Sequence, residues 1–233
     1  MKIFKKINDF LFPLNCLGCG VKDTFLCDSC FRKLTRLEDF CPFCLMPSLY
    51  GATCRHCQKK HSLDGAFVAL NYSQPLVKKL IKKTKYQPYL FPLLSNLTEA
   101  LTEKIKKSNF LKNPGKFILL PIPLTSKKNA QRGYNQTEII AEKLKNDLGL
   151  LLDLKTLKKQ KETRAQSQLN LRERRKNVND CFKITREVKG KNFILVDDLI
   201  TSGSTLDEAA KVLKMKGAYK VWAFVLGRNL ESK

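Results

Sequence analysis

The chain contains no run of about 18 apolar residues, the length a membrane-spanning helix requires. Its longest apolar segments are 118–124 and 221–226. No cleavable leader is expected either: Asn8 and Asp9 interrupt the short N-terminal apolar stretch, and Asn15 before Cys16 spoils a lipoprotein cleavage site. A soluble protein retained in the cytoplasm is therefore expected, where thiols stay reduced and the nine cysteines are not disulfides. Two common nucleotide signatures are absent. No G-x-x-x-x-G-K-[ST] occurs, and no G-x-G-x-x-G follows a predicted strand. Acidic residues are scarce, 21 against 44 Lys and Arg, for a net charge of +23. That excess favours phosphate or nucleic-acid partners over basic ones, although lysines scattered over a solvated surface give the same composition.

What is abundant is cysteine at one end. Eight of the nine lie within the first 57 residues as four C-x-x-C pairs: Cys16/Cys19, Cys27/Cys30, Cys41/Cys44 and Cys54/Cys57. A two-residue gap lets one tight knuckle point two sulfurs at one ion, and a second knuckle then closes a tetrahedron. Two structural Zn²⁺ sites follow, and this small module needs its metal to fold. Sequential pairing makes a double zinc ribbon; cross-braced pairing satisfies the same spacing. His56, between Cys54 and Cys57, is read as an exposed bystander. Eight thiolates subtract eight charges and two zinc ions add four, so +23 becomes +19.

Composition shifts after His61, which places a boundary between residues 1–60 and 61–233. A strand is expected over 66–72. Pro75 then opens a helix with Leu76, Leu80 and Ile81 inward and Lys78, Lys79, Lys82, Lys83 and Lys85 outward. Tyr86, Tyr89 and Phe91 follow these lysines. Such interleaving suits single-stranded nucleic acid, where bases stack and phosphates pair; an ordinary surface helix with core aromatics gives the same pattern. A second helix is expected over 94–107, then a strand over 117–123 and a loop, 125–136, rich in cations and amides. A helix carrying Ile139, Ile140 and Leu144 comes next, and the Arg-rich segment 163–178 reads as a flap or a solvated loop. Cys181 is expected to be a buried strand residue.

The most informative stretch is 193–205. Phe193, Ile194, Leu195 and Val196 suit a buried parallel strand. Asp197 and Asp198 follow at the edge of the sheet where ligands bind, and Thr201, Ser202, Gly203, Ser204 and Thr205 lead into a helix with Leu206, Ala209, Ala210 and Leu213 on one face. Free N–H groups and hydroxyls at that helix start make a phosphate cradle, and the adjacent acids can accept hydrogen bonds from sugar hydroxyls. Ser204 or Thr205 can also act simply as a helix cap, with Asp207 or Glu208 completing a capping box.

These thirteen positions resemble the phosphoribosyl pyrophosphate (PRPP) signature of the type I phosphoribosyltransferases. The resemblance implies that Asp197 and Asp198 contact the ribose of Mg²⁺-PRPP and that residues 201–205 wrap its 5-phosphate. With Arg132, Gly133, Tyr134, Asn135 and Gln136, and with Gln166, Leu169, Arg174, Asn177, Val178 and Phe182, the chain is similar to the ComF family of competence proteins. That resemblance implies an α/β fold: a mainly parallel type I phosphoribosyltransferase-like sheet flanked by helices, preceded by a four-cysteine double zinc ribbon. It also implies catalytic roles for Asp197 and Asp198 and a ligand contact from Arg132. The implied partners are single-stranded DNA, taken up in natural transformation, PRPP or a related phosphoribosyl ligand, and a DNA-uptake helicase. Two functions stay open: DNA handling with a PRPP-binding site, or phosphoribosyl transfer to a base or amine that nothing in the sequence identifies.

Overall fold

Apolar runs rich in branched and aromatic residues, buried on both faces, build the centre of the molecule. The computed structural model describes residues 14–85, 90–112, 116–160 and 181–230. Strands β1 (Gly65–Asn71), β2 (Phe117–Pro121), β3 (Leu151–Leu152), β6 (Asn192–Ile200) and β7 (Lys220–Arg228) form one sheet in the order β1-β7-β6-β2-β3. Every pairing in it is parallel. Two shorter strands, β4 (Leu157–Lys159) and β5 (Phe182–Ile184), pair antiparallel beside it. A strand at Cys181 was expected, and β5 begins at the next residue; its partner β4 was not, because a three-residue strand is too short for a periodic signal. The proposed flap, 163–178, falls between its two strands and outside the described residues.

Helices cover both faces. On one, α3 (Pro75–Thr84), α4 (Phe91–Lys107) and α6 (Gln136–Leu148) pack Val77, Leu80, Ile81, Leu97, Leu101, Ile140 and Leu144 against Phe67, Ile194, Val196 and Phe224. On the other, α7 (Ser204–Met215) lays Leu206, Ala209, Ala210 and Leu213 over Phe193, Leu195, Ala223 and Val225. Pro75 occupies the first turn of α3, where its missing N–H costs nothing. Asn135 caps α6 by accepting the Thr137 N–H, and Gly149 ends that helix in the left-handed region at φ 65°. Cys181 is fully buried next to β5. Among the described residues no helix is long and apolar enough to cross a membrane.

The cysteine-rich segment is built onto this sheet. Its helices are single turns, α1 (Asp28–Arg32) and α2 (Arg55–Gln58). Its Leu26 and Leu34 join the core beneath α3 and α4. The connection between its two cysteine groups runs along β1: Leu37 N–H donates to Ala69 O at 2.9 Å and Asn71 N–H to Thr35 O at 2.9 Å. A sheet edge that would otherwise offer unpaired backbone groups is thereby covered. The helix α5 (Ser126–Arg132) occupies part of the stretch read from sequence as a polar loop.

Candidate functional site

Parallel strands release their following loops at one edge, and β2 and β6 are neighbours, with Pro121 opposite Val196 and Ile122 N–H donating to Val196 O at 2.9 Å. The two anion loops expected from sequence are thus brought side by side. β6 runs further than expected: the ladder continues through Asp197, opposite Val225, to Ile200, opposite Arg228. The acids therefore belong to the last part of the strand rather than to a turn beyond it. Asp198 is buried, and its Oδ2 lies 3.0 Å from Lys85 Nζ.

That contact corrects the placement of Lys85 among outward lysines. Lys78, Lys79 and Lys82 do face solvent, but Lys85, just past the end of α3, turns back onto the sheet edge. Burial works to depress its ammonium. Asp198, and then Asp197 and Tyr72, outweigh this and hold it above the ordinary lysine range. For Asp197 the balance goes the other way. Burial pushes its carboxyl up to about 7, reinforced by the charge of Asp198 and opposed by the Asp198 N–H at 2.9 Å, Lys85 and Lys159. A carboxyl poised near neutrality beside a paired carboxylate can accept or donate a hydrogen bond to a sugar hydroxyl within the physiological range.

The loop after β6 has the small-residue geometry expected of a cradle. Gly203 stands before the first turn of α7 at φ 78°, a conformation that favours glycine. The N-cap residue Gly203 has no side chain to cap α7, and among its first N–H groups that of Ser204 makes a long contact to Ser202 Oγ at 3.4 Å. Ser202 Oγ and Ser204 Oγ lie 2.9 Å apart, and Thr201, Ser202, Ser204 and Thr205 are all half-buried. The expected capping box is not formed. Asp207 instead reaches the 61–63 segment, accepting the N–H of Ser62 at 2.7 Å and of Leu63 at 3.2 Å, with His61 Nδ1 at 2.7 Å.

Across the edge, Arg132 ends α5 and donates from Nη1 to Gln136 Oε1 at 3.2 Å. Gln136 Nε2 is buried with no hydrogen-bond partner among the described residues. Tyr134 and Asn135 hold the scaffold: the Tyr134 hydroxyl donates to Thr84 O at the end of α3, and its ring meets Phe91 edge-on at 4.7 Å. Asn135 Nδ2 and Thr137 Oγ1 both donate to Ile122 O, at 3.2 and 2.8 Å, tying α6 to the loop after β2. Tyr86 and Tyr89, which the sequence offers either for base stacking or for the core, lie outside the described residues, as do Arg164, Arg172, Arg174 and Arg175.

The cysteines pair sequentially. Cys16, Cys19, Cys27 and Cys30 gather in one group and Cys41, Cys44, Cys54 and Cys57 in another, each with its sulfurs within 4.8 Å of one another. A tetrahedral zinc with bonds of about 2.3 Å holds sulfurs about 3.8 Å apart. The observed separations are 3.7 Å for Cys16–Cys27 and 3.6 Å for Cys19–Cys27 and Cys44–Cys54, so both groups fit the ion. Each group joins a knuckle to the first turn of a short helix, Cys27 preceding α1 and Cys54 preceding α2. Burial works to raise Cys16 and Cys41, but knuckle N–H groups aimed at the sulfurs bring them down to about 6 and about 7. A β-carbon at Gly18 would come within 2.6 Å of Cys30 Sγ, so only glycine fits that knuckle. His56 is exposed and belongs to neither group.

Lys85, Lys159, Phe43 and Arg228 were not legible as site residues. Arg228 is buried at the end of β7, donating from Nη1 to Pro42 O at 2.7 Å, and burial lowers it to about 10 against the pull of the Cys41 sulfur. A lone arginine closing an apolar strand was the one available signal.

Two family models match the chain, a double zinc ribbon domain over residues 7–58 and a phosphoribosyl transferase domain over 130–233. Among curated proteins, Competence protein ComFC of Bacillus subtilis is 30% identical over 215 residues, 89% of this chain and 85% of that protein. Competence protein F of Haemophilus influenzae is 28% identical over 228 residues, 93% of this chain and 98% of that one. The DNA utilization protein YhgH of Salmonella typhimurium is 27% identical over 208 residues, 88% and 91% of the two chains.

Proposed function

This chain belongs to the ComF family of competence proteins, and from that premise we propose that it handles incoming single-stranded DNA in the cytoplasm, with a Mg²⁺-PRPP site at the carboxyl edge of its sheet. Residues 1–60 serve as the double zinc ribbon and 61–233 as the phosphoribosyltransferase-like unit. One observation carries the ligand reading: Asp197 and Asp198, the uncapped start of α7 and the loop after β2 share one sheet edge. The acids take the ribose hydroxyls, and the N–H groups and hydroxyls of residues 201–205 take the 5-phosphate. Arg132 and Gln136 stand on the neighbouring loop and helix, on the side left for pyrophosphate. Magnesium supplies charge neutralisation of the phosphates when bound; Asp198, already paired with Lys85, positions the sugar rather than holding the ion.

The DNA reading is supported by the family and by the exposed lysines of α3, Lys78 and Lys82, on the helix whose end meets Lys85 and the Phe91–Tyr134 pair. A strand following that helix has cations for its phosphates and an aromatic pair on which bases can stack. The natural partner for delivery is the DNA-uptake helicase. Titration of a single-stranded oligonucleotide at several ionic strengths, with and without Mg²⁺-PRPP, tests the proposal. Affinity is expected to fall steeply with salt. A flat salt response, or no binding, sinks the DNA reading. Pyrophosphate release on addition of a base would establish phosphoribosyl transfer as the activity instead.

A further inference from the structure

The two metal centres differ in what they touch. The first rests on α3, where Lys79 Nζ donates to Leu17 O at 2.7 Å and Leu76 packs beside Gly18. The second lies against the phosphate loop. Its knuckle, Cys41 to Cys44, carries Pro42 and Phe43 between two ligands, so the metal fixes both residues. The Phe43 ring stacks on His61 with centroids 3.6 Å apart and planes 5° from parallel. His61 in turn is held 2.7 Å from Asp207, in the first turn of α7. A β-carbon built on Gly203 would lie 3.2 Å from Phe43 Cε1, which places the same ring directly over the turn of the loop. Pro42 O accepts from Arg228, whose backbone is paired with Ile200, the last strand residue before the loop. The knuckle thus reaches the loop at its entry through Arg228, at its turn through Gly203 and at its exit through Asp207.

We propose that the second four-cysteine centre is a buttress for residues 201–206, with Phe43 its positioning residue, so that loss of metal there loosens the phosphate loop while loss at the first centre does not. The physical basis is that a short knuckle has no fold of its own without the ion. Its stacked ring is held by two flanking ligands and cannot keep its place when they are released. The consequence for ligand affinity rests on the reading of 201–205 as the PRPP cradle; the mechanical coupling does not.

Amide hydrogen exchange over residues 201–206 tests the buttress, with zinc content measured on every sample. Phe43→Ala should retain both metal ions yet exchange these amides at least tenfold faster than the unsubstituted protein. Phe43→Tyr, which keeps a ring on His61, should restore slow exchange. Cys44→Ser should lose one ion and accelerate the loop, whereas Cys19→Ser, at the matching place in the first knuckle, should lose one ion and leave the loop slow. Unchanged exchange in Phe43→Ala, or equal acceleration by Cys19→Ser, overturns the proposal. Calorimetry with Mg²⁺-PRPP separates the two readings: weakened binding in Phe43→Ala supports both, and no binding by the unsubstituted protein removes the ligand reading while exchange still decides the buttress.

Discussion

Replacing Asp197 by Asn should stabilise the protein while weakening its ligand site. Burial and the charge of Asp198 push the Asp197 carboxyl from the ordinary 3.8 to about 7. The folded chain therefore binds that proton more tightly than the unfolded chain. Between pH 3.8 and about 7 the folded state keeps a proton that the unfolded state has released, so stability falls as pH rises through this window. Above about 7 both states are ionised and the loss is complete. A tenfold change in proton affinity is about 1.4 kcal/mol, so the cost is ~3 kcal/mol at pH 6 and ~4 kcal/mol at pH 8. Asn carries no such cost and keeps an oxygen to accept the Asp198 N–H. The stability advantage of Asp197→Asn should therefore widen by ~1.4 kcal/mol between pH 6 and pH 8, a growing gap in melting temperature of ~3–6 °C for a chain of this size. Thermal melts of both zinc-loaded proteins at pH 6, 7 and 8 measure it, and the pairwise difference cancels any common effect of thiol protonation. Parallel curves, or a variant less stable at pH 8, would refute the placement of a carboxyl with a raised proton affinity at this position. The same variant should bind Mg²⁺-PRPP at least tenfold more weakly by calorimetry.

Other substitutions probe other contacts. Lys85→Met removes the cation 3.0 Å from the buried Asp198, and a loss of about 3 kcal/mol is expected in urea unfolding at pH 7.5, with zinc content unchanged. Gly203→Ala forces a side chain onto a residue at φ 78° with Phe43 3.2 Å from the new carbon; about 1–2 kcal/mol of stability should be lost, along with PRPP affinity. Elemental analysis should find one zinc for each of the two cysteine groups, with Cys16→Ser/Cys19→Ser and Cys41→Ser/Cys44→Ser each removing one ion. A finding of no zinc in the intact protein would overturn both centres.

Much of this molecule can be read without coordinates because its signals are local. Four C-x-x-C pairs name the metal and its ligands, since sulfur chemistry and a two-residue gap leave little else for them to do. The run from Phe193 to Thr205 names a strand, an acidic pair and a cradle, because buried strands, loops and helix starts each have their own residue chemistry. The helices over 75–84 and 136–148 follow from periodicity and caps. Their ends were less legible, as the early start of α4 at Phe91 and the continuation of β6 to Ile200 illustrate.

Tertiary structure decided what spacing leaves degenerate. Sequential and cross-braced cysteine pairing obey the same gaps, and only the packing of each knuckle against its own short helix chooses between them. Lys85 shares its sequence neighbourhood with lysines that face water; it becomes a site residue because β6 passes the end of α3, over one hundred positions later in the chain. Asp207 has the position of a capping residue, yet its carboxylate is drawn to the N–H groups of Ser62 and Leu63. The contact of Phe43 with Gly203, between a metal knuckle and the loop after β6, follows no local pattern at all. Local chemistry determined which groups this protein carries, and the folding of distant segments onto one sheet edge determined which of them meet.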